Sequence, residues 1–243
     1  RSRGLGDVYK RQVQQPNFFG QIEDTVALGE ITHAAGAKFV MGVNPIACAL
    51  YKTPGEVGAD VAVGEGQPLG MPLSFGGPYL GFMATTKALM RKLPGRIVGE
   101  TTDDRGERAF VLTLQAREQH IRREKASSNI CSNQALCAMT AAVYMAAMGE
   151  AGMREVARQC HAKAAYLRGE LAKIGFAPLH EGPFFHEFVT ACPAGREELV
   201  SALAEKGILA GLPVDGGILW CATEMNSRAD IDELIAAIGE VRA

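Results

Sequence analysis

The stretch DVAVGEGQPLGMPLSFGGPYLGFMATTK, residues 60 to 87, indicates both how the chain folds and what its chemistry lacks. A short apolar run, Val61 to Val63, leads into a loop rich in glycine and proline, and a second apolar run, Leu80 to Ala84, follows. This order predicts two strands joined by a tight connection, which resembles a cofactor-binding turn. No lysine lies between the two runs, so the loop offers no amine for a Schiff base.

The first part of this loop, GEGQPLG at residues 64 to 70, is similar to the glycine fingerprint of dinucleotide-binding proteins. The fingerprint G-x-G-x-x-G fails at its third glycine, because Leu69 stands there. Pro68 and Pro72 also disfavour a helix that begins inside the loop, and such a helix is what binds the pyrophosphate. We therefore expect no nicotinamide site. By spacing alone, the loop is a tight connection between strands.

Strand and helix patterns alternate on the amino-terminal side of this loop. Residues 22–35 have the spacing of a helix, AKFVMGV at residues 37–43 has that of a buried strand, and NPIACALYK at residues 44–52 begins with a good helix cap in Asn44. The segments GFMATTK and RAFVLTL add two further strands. The alternation predicts an α/β fold with a mostly parallel sheet.

The second half changes character. Residues 133–148 predict a buried, alanine-rich helix that ends at Gly149, and residues 153–174 predict a second, amphipathic helix. The remaining residues repeat strand, helix, strand, helix, with the single Trp220 in the core and Asn226 or Ser227 as the last helix cap. We therefore predict a large domain over residues 13–150 and a small α+β domain over residues 151–243.

The first twelve residues, RSRGLGDVYKRQ, differ from the rest, and we expect them to be a foreign or disordered extension. Over the whole chain of 243 residues the formal net charge is −2, which gives no sign of a nucleic-acid partner. The six cysteines lack the spacing of a zinc site, and no apolar run approaches the length of a membrane span. We expect a cytoplasmic protein with reduced thiols.

A basic stretch, REQHIRREKASSN at residues 117–129, is the second candidate for a binding site. Arg117, His120 and Arg122 are suited to a phosphate or carboxylate, and Asn129 belongs to a polar segment that we expect to turn toward a cleft. The alternative is a solvated helix face whose charges are balanced by neighbouring glutamates. The residues alone leave both interpretations open.

Three long segments together carry a resemblance to a known family. They are QQPNFFGQIED, GEGQPLGMPLSFGGPYLGFMA and RKLPGRIVGETTDDRGERAFVLTLQAREQHIRREKASSNICSNQALCA. The chain resembles the glycine cleavage system P-proteins from Val13 to its end, and within them the first subunit of the two-subunit bacterial form. The match covers about the carboxyl-terminal half of that subunit. The resemblance implies an aspartate-aminotransferase-like fold, with part of the large domain followed by the small α+β domain.

The same resemblance implies where the chemistry lies. In the catalytic second subunit, a lysine that forms a Schiff base with pyridoxal 5'-phosphate precedes a glycine-rich run ending in Gly-Pro. If Gly77 and Pro78 match that Gly-Pro pair, the lysine position falls on or near Gln67, whose amide cannot form a Schiff base. The implied catalytic lysine and most of the cofactor binding then belong to the partner, P-protein subunit 2. No cofactor would be covalently bound to this chain.

In the family, glycine is decarboxylated and its aminomethyl group passes to the lipoyl arm of the H-protein. We expect this chain to assist at the interface near the partner's cofactor, through the residues Gln67, Ser74, Gly76, Gly77, Arg117, His120, Arg122 and Asn129. Two other functions stay open. One is a self-sufficient pyridoxal-phosphate enzyme that uses Lys52 or Lys87, and the other is a structural or regulatory scaffold.

Overall fold

The first half of the chain forms a four-stranded sheet with strand order β1-β2-β3-β4. The computed structural model describes residues 10–77, 79–94, 97–113, 119–126, 134–193 and 195–241. The strands of this sheet are β1 (Lys10–Gln15), β2 (Lys38–Val43), β3 (Val61–Glu65) and β4 (Gly81–Thr85). The first three run parallel, and β4 pairs antiparallel with β3. The predicted strands at residues 37–43 and on both sides of the loop are therefore confirmed.

Helix α1 (Thr25–Ala34) packs over the centre of this sheet. The helix begins at Thr25, three residues later than the start we predicted at Ile22. Asp24 caps it by accepting a hydrogen bond from the Ala27 N–H at 3.1 Å. The Ile22 N–H is bonded instead to the Pro183 carbonyl at 2.8 Å, so tertiary contact holds that residue outside the helix. Phe39 on β2 is fully buried beneath the helix.

The helix predicted for residues 44–52 is wrong beyond its first turn. Asn44 Oδ1 accepts from the Ile46 N–H at 2.9 Å, as its role as cap predicts, but only a 3-10 turn follows, Ala47–Ala49. Ile46 is buried in a cluster with Phe185, and the Tyr51 hydroxyl donates to the Phe184 carbonyl at 3.0 Å. These tertiary contacts outweigh the helix preference of a short segment.

Beyond the sheet lies an antiparallel hairpin of β5 (Ile97–Thr102) and β6 (Arg108–Thr113). The sequence predicted β6 but not β5, whose alternation is weak. Asp103 Oδ1 accepts from the Arg105 and Glu107 N–H groups at 2.8 and 2.9 Å, which closes the turn between the strands. The short helix α2 (Gln119–Arg122) comes after it.

Helix α3 (Ala135–Lys173) is broken at Gly149, as predicted, where φ is 61° and ψ is −176°. The burial predicted for its first part is wrong, because Leu136, Met139 and Val143 are exposed in this chain. Judged by its length and apolar composition alone, α3 is long and apolar enough to cross a membrane. The break leaves a first part, residues 135–148, that is shorter than the about 20 residues a span requires. The second part carries charges along its length, among them Arg154, Arg158 and Arg168. We therefore do not interpret α3 as a membrane-spanning helix.

The small carboxyl-terminal unit is a three-stranded antiparallel sheet with order β7-β9-β8 and two helices. Its elements are β7 (Glu187–Thr190), α4 (Arg196–Glu205), β8 (Leu212–Val214), β9 (Gly217–Cys221) and α5 (Arg228–Val241). The predicted core position of Trp220 is confirmed, and Ser227 caps α5 by accepting from the Asp230 N–H at 3.1 Å. The short β8 was not predicted.

The structure bears on the predicted extension at residues 1–12. Lys10 to Gln12 lie in β1 and pair in register with Lys38 to Val40 of β2, so this part is not disordered. Residues 1–9 are outside the described segments. The domain division at residue 150 stays a prediction, and α3 continues across it after the break at Gly149.

Candidate functional site

A cleft of about 490 Å³ lies at the carboxyl ends of β1, β2 and β3. Ligands of open α/β sheets bind at this edge, because the loops that follow the strands diverge there. The cleft is lined by Gln12, Gln14, Pro16, Gly42, Val43, Asn44, Pro45, Val63, Gly64, Glu65, Gln67, Pro68, His186 and Glu187. The last two residues come from the small unit, so the cleft is built where the two halves of the chain meet.

Gln67 is the predicted site residue that the structure places in this cleft. Its Nε2 donates to the Met71 carbonyl at 2.6 Å, and its backbone N–H donates to Glu65 Oε1 at 3.1 Å. The same Glu65 oxygen accepts from the Leu80 N–H at 2.8 Å. The side chain of Glu65 thus ties both ends of the loop together and holds Gln67 at the end of β3.

The loop also packs against α3. Leu69 is buried in a cluster with Ala141, and Gly70 adopts φ +83° beside the ring of Tyr144. A Cβ atom on Gly70 would lie 2.8 Å from that ring, so glycine is required both for the backbone conformation and for the close approach. The backbone conformation and the packing against Tyr144 therefore explain the glycine at position 70.

His186 and Glu187 are the residues that the small unit contributes to the lining of the cleft, and the sequence did not single them out as a pair. Burial lowers the pKa of His186 to about 4 and outweighs the negative charge of Glu224, which raises it. The imidazole is therefore neutral at physiological pH. Its Nδ1 atom is buried and has no hydrogen-bond partner among the described residues. Burial also raises the pKa of Glu187. A lone histidine in a sequence gives no local signal of such a site, which is why sequence patterns did not identify His186.

The other predicted loop residues lie outside the lining of this cleft. Ser74, Gly76 and Gly77 form a tight turn in which the Gly77 N–H donates to the Ser74 carbonyl at 2.8 Å. Phe75, at the tip of the turn, is 91% exposed and has a positive φ of 45°. The turn is anchored by the Tyr79 hydroxyl, which accepts from the Ser74 N–H at 2.9 Å. The turn therefore exposes the aromatic ring of Phe75 on the surface of this chain.

The basic stretch can be placed only in part. Arg122 is exposed at the end of α2 and is not among the residues that line the cleft. Arg117, Asn129 and the side chain of His120 lie outside the described part of the chain. The role of these four residues stays a prediction.

Pyridoxal phosphate requires an amine for its aldehyde and, for its phosphate, cations or helix N-termini. The charged residues that line the cleft are the acidic Glu65 and Glu187, and no lysine or arginine is among the lining residues described. Lys52 and Lys87, the alternative amines, are exposed and lie outside this lining. The residues of this cleft do not fit a covalently held pyridoxal phosphate.

Comparisons with known proteins identify related sequences. Residues 3–238 match the family model described as glycine cleavage system P-protein. The chain is 49% identical over 238 residues to the probable glycine dehydrogenase (decarboxylating) subunit 1 of Desulfitobacterium hafniense, covering 95% of this chain and 53% of that protein. It is 52% identical over 239 residues to the protein of the same name from Moorella thermoacetica, covering 95% and 54%. The chain thus spans about half the length of the curated relatives it matches.

Solved structures agree on the fold. A crystal structure of glycine decarboxylase (P-protein) of the glycine cleavage system, in inhibitor-bound form, matches with a TM-score of 0.92 and 46% identity over 96% of this chain and 55% of that one. An alanine–glyoxylate aminotransferase from Nostoc sp. matches with a TM-score of 0.64 and 14% identity, covering 96% of this chain and 62% of that one, and so shows the fold alone. The predicted α/β, aspartate-aminotransferase-like fold class is confirmed.

Proposed function

Because the chain belongs to the glycine cleavage system P-protein family, we propose that it is the subunit of glycine dehydrogenase (aminomethyl-transferring) that lacks the cofactor-binding lysine. The whole enzyme decarboxylates glycine with pyridoxal phosphate and transfers the aminomethyl group to the lipoyl arm of the H-protein. In this proposal the catalytic lysine belongs to P-protein subunit 2. The chain described here supports the reaction and is inactive by itself.

One observation carries this proposal. The cleft at the carboxyl ends of the parallel strands contains the amide of Gln67 and two acidic residues, with no lysine among its described lining. An amide is not nucleophilic and does not titrate, so Gln67 cannot replace the lysine of a pyridoxal-phosphate enzyme. The family relationship together with this cleft favours an accessory subunit over a self-sufficient enzyme.

The proposed contribution of the chain is to form one wall of the partner's active site. Gln67, Ser74, Gly76 and Gly77 would lie near the partner's cofactor, and the exposed ring of Phe75 between them supports an interface there. Exposed aromatic residues are enriched at protein interfaces. A second subunit that covers an active site also excludes water and so prevents stray protonation of reactive groups.

The basic stretch would face the same interface or the substrate channel, through Arg117, His120, Arg122 and Asn129. Guanidinium groups are suited to the carboxylate of glycine or to acidic groups of a partner. We also propose a cytoplasmic location, which is supported by relatives that are bacterial metabolic enzymes.

A second candidate function is a structural or regulatory scaffold. It is favoured by the position of Ser74, Gly76 and Gly77, which form an exposed turn outside the lining of the cleft. In that case the turn contacts the partner far from its reacting atoms. Unchanged turnover of the assembled enzyme after both Gln67→Ala and Arg117→Ala would favour the scaffold.

The deciding experiment uses the chain at the full length of its relatives, mixed with P-protein subunit 2. Exchange of the glycine carboxyl group with bicarbonate is followed in the presence of lipoylated H-protein, and each subunit is also assayed alone. We expect exchange only in the mixture and cofactor absorbance only with subunit 2. Exchange by this chain alone, or cofactor absorbance in it, would overturn the proposal and direct attention to Lys52 and Lys87.

A further inference from the structure

Three potential metal ligands converge beside the cleft, where β7 pairs with β9. A ring nitrogen of His186, a carboxylate oxygen of Glu187 and the sulfur of Cys221 all lie within 4.8 Å of one another. Glu187 and Cys221 are direct partners in the antiparallel register, so their side chains point to the same face of the small sheet. His186 directly precedes β7 and completes the group.

The fold holds these residues firmly in place. The next pair in the register, Phe188 and Trp220, points to the opposite face and is buried in the core. The Ala222 N–H donates to the His186 carbonyl at 3.0 Å, which fixes the backbone on the other side. The hydrogen-bonded backbone of both strands therefore keeps the three side chains close together, which reduces the entropy lost when an ion binds.

The three side chains have unused coordinating capacity. The buried Nδ1 of His186 is without a hydrogen-bond partner in the described part of the chain, although buried polar atoms are almost always paired. The carboxylate of Glu187 is partly buried and forms no ion pair with any described residue. Cys221 has a free thiol, and the residue as a whole is exposed at the end of β9, so the group lies close to the surface.

We propose that His186, Glu187 and Cys221 form a binding site for a divalent transition metal, with Zn²⁺ as the ion that fits best. Imidazole nitrogen, thiolate sulfur and carboxylate oxygen are the ligands that zinc accepts, whereas magnesium and calcium take oxygen ligands. The thiol loses its proton when zinc binds, and the two charges of the ion then balance one thiolate and one carboxylate. Three protein ligands leave a fourth position for water or another group.

This inference does not depend on the proposed function, because it concerns the small sheet and needs no partner subunit. The ion would join the segment before β7 to the end of β9. Since His186 and Glu187 also line the cleft, bound metal would fix that part of its lining.

The test uses Zn²⁺ alone as the probe and the chain at the full length of its relatives. Affinity is measured by isothermal titration for the wild type and for His186→Gln, Glu187→Gln and Cys221→Ser. Removal of outer-shell groups already weakens metal binding by about 10- to 100-fold, so we expect each ligand variant to bind at least about tenfold more weakly. The matched controls His180→Gln and Cys192→Ser keep the three ligands and should bind like the wild type.

A second measurement keeps the test decisive if a variant fails to fold. Co²⁺ bound to the wild-type protein should show a thiolate-to-metal charge-transfer band in the near ultraviolet, and alkylation of exposed thiols before titration should abolish it. A Co²⁺ complex without this band would overturn the proposal. So would equal zinc affinity of the wild type and a folded Cys221→Ser variant.

Discussion

Gln67 donates a hydrogen bond of 2.6 Å from its Nε2 atom to the carbonyl oxygen of Met71, four residues further along the loop. The resemblance places the family's catalytic lysine on or near this position. Here the side chain closes its own loop, and the Met71 N–H donates back to the Gln67 carbonyl at 3.2 Å. The loop therefore keeps a defined shape, with an amide at the position that we propose corresponds to the lysine of the partner subunit.

Replacing Gln67 by methionine should loosen this loop. Methionine has nearly the same length but no donor, so the Met71 carbonyl loses its partner. We expect the free energy of unfolding to fall by about 1 kcal/mol, the usual net contribution of one hydrogen bond. Urea unfolding of the variant and the wild type measures this difference. Gln14→Met is the control, because Gln14 lines the same cleft and is exposed, and an equal loss in both would contradict the role of the bond.

Asp60 should make stability depend on pH in the acidic range. Burial opposes its ionisation, but hydrogen bonds from Lys38 at 2.7 Å, from the Phe39 N–H and from His33 outweigh it and lower the pKa to about 2 from 3.8. Such a depressed pKa stabilises the folded state above the unfolded value of 3.8, and this stabilisation is lost as the pH falls toward 2. The shift corresponds to about 2 kcal/mol.

We therefore expect Asp60→Asn to be less stable than the wild type by about 2 kcal/mol at pH 7. The difference should shrink as the pH falls toward 2, because the wild-type carboxylate is then protonated. Urea unfolding over a pH series measures both. Asp104→Asn serves as control, since Asp104 is exposed and forms no ion pair with the described residues. A pH-independent gap for Asp60→Asn would show that charge is not the cause.

The buried hydrogen bond between Trp220 and Thr190 should contribute measurably to the stability of the folded chain. Trp220 Nε1 donates to Thr190 Oγ1 at 2.8 Å, and both residues are almost fully buried. Thr190→Val keeps the shape but leaves the indole N–H without a partner, which costs about 1–3 kcal/mol. Thermal unfolding measures the loss. In the double variant with Trp220→Phe the Thr190→Val change should cost less, and strict additivity of the two changes would refute the interaction.

Replacing Gly149 by alanine should destabilise the protein, whereas the same replacement at another glycine of α3 should not. Its φ of 61° with ψ of −176° belongs to a region that only glycine adopts readily. Gly149→Ala should therefore cost about 1–3 kcal/mol, although no atom blocks the added methyl group. Gly169→Ala is the matched control, because Gly169 is exposed inside the helix with open space around it. It should stabilise the protein by roughly 0.5–1 kcal/mol, and similar effects at both sites would contradict the strain.

Local patterns predicted much of the fold because they depend on neighbours in the chain. The apolar run of residues 37–43 forms β2, Gly149 breaks α3, and Ser227 caps α5. The short strand β8 escaped prediction because its three residues carry too little alternation. The predicted helix at residues 44–52 failed because burial of Ile46 against Phe185 outweighs a weak local preference.

For the candidate site, the sequence determined which functional groups are present, and the tertiary structure determined which of them come together. The sequence by itself determined that the loop after β3 contains an amide and no amine, because no folding can add a functional group to a side chain. Tertiary structure alone decided that Gln67 lines a cleft, that Ser74 and Gly77 lie outside its lining, and that the small unit contributes His186 and Glu187 to it. His186 and Cys221 are far apart in the chain, and they meet only because β7 and β9 pair in one register. That pairing depends on side chains packing across the whole small unit, which no local pattern encodes.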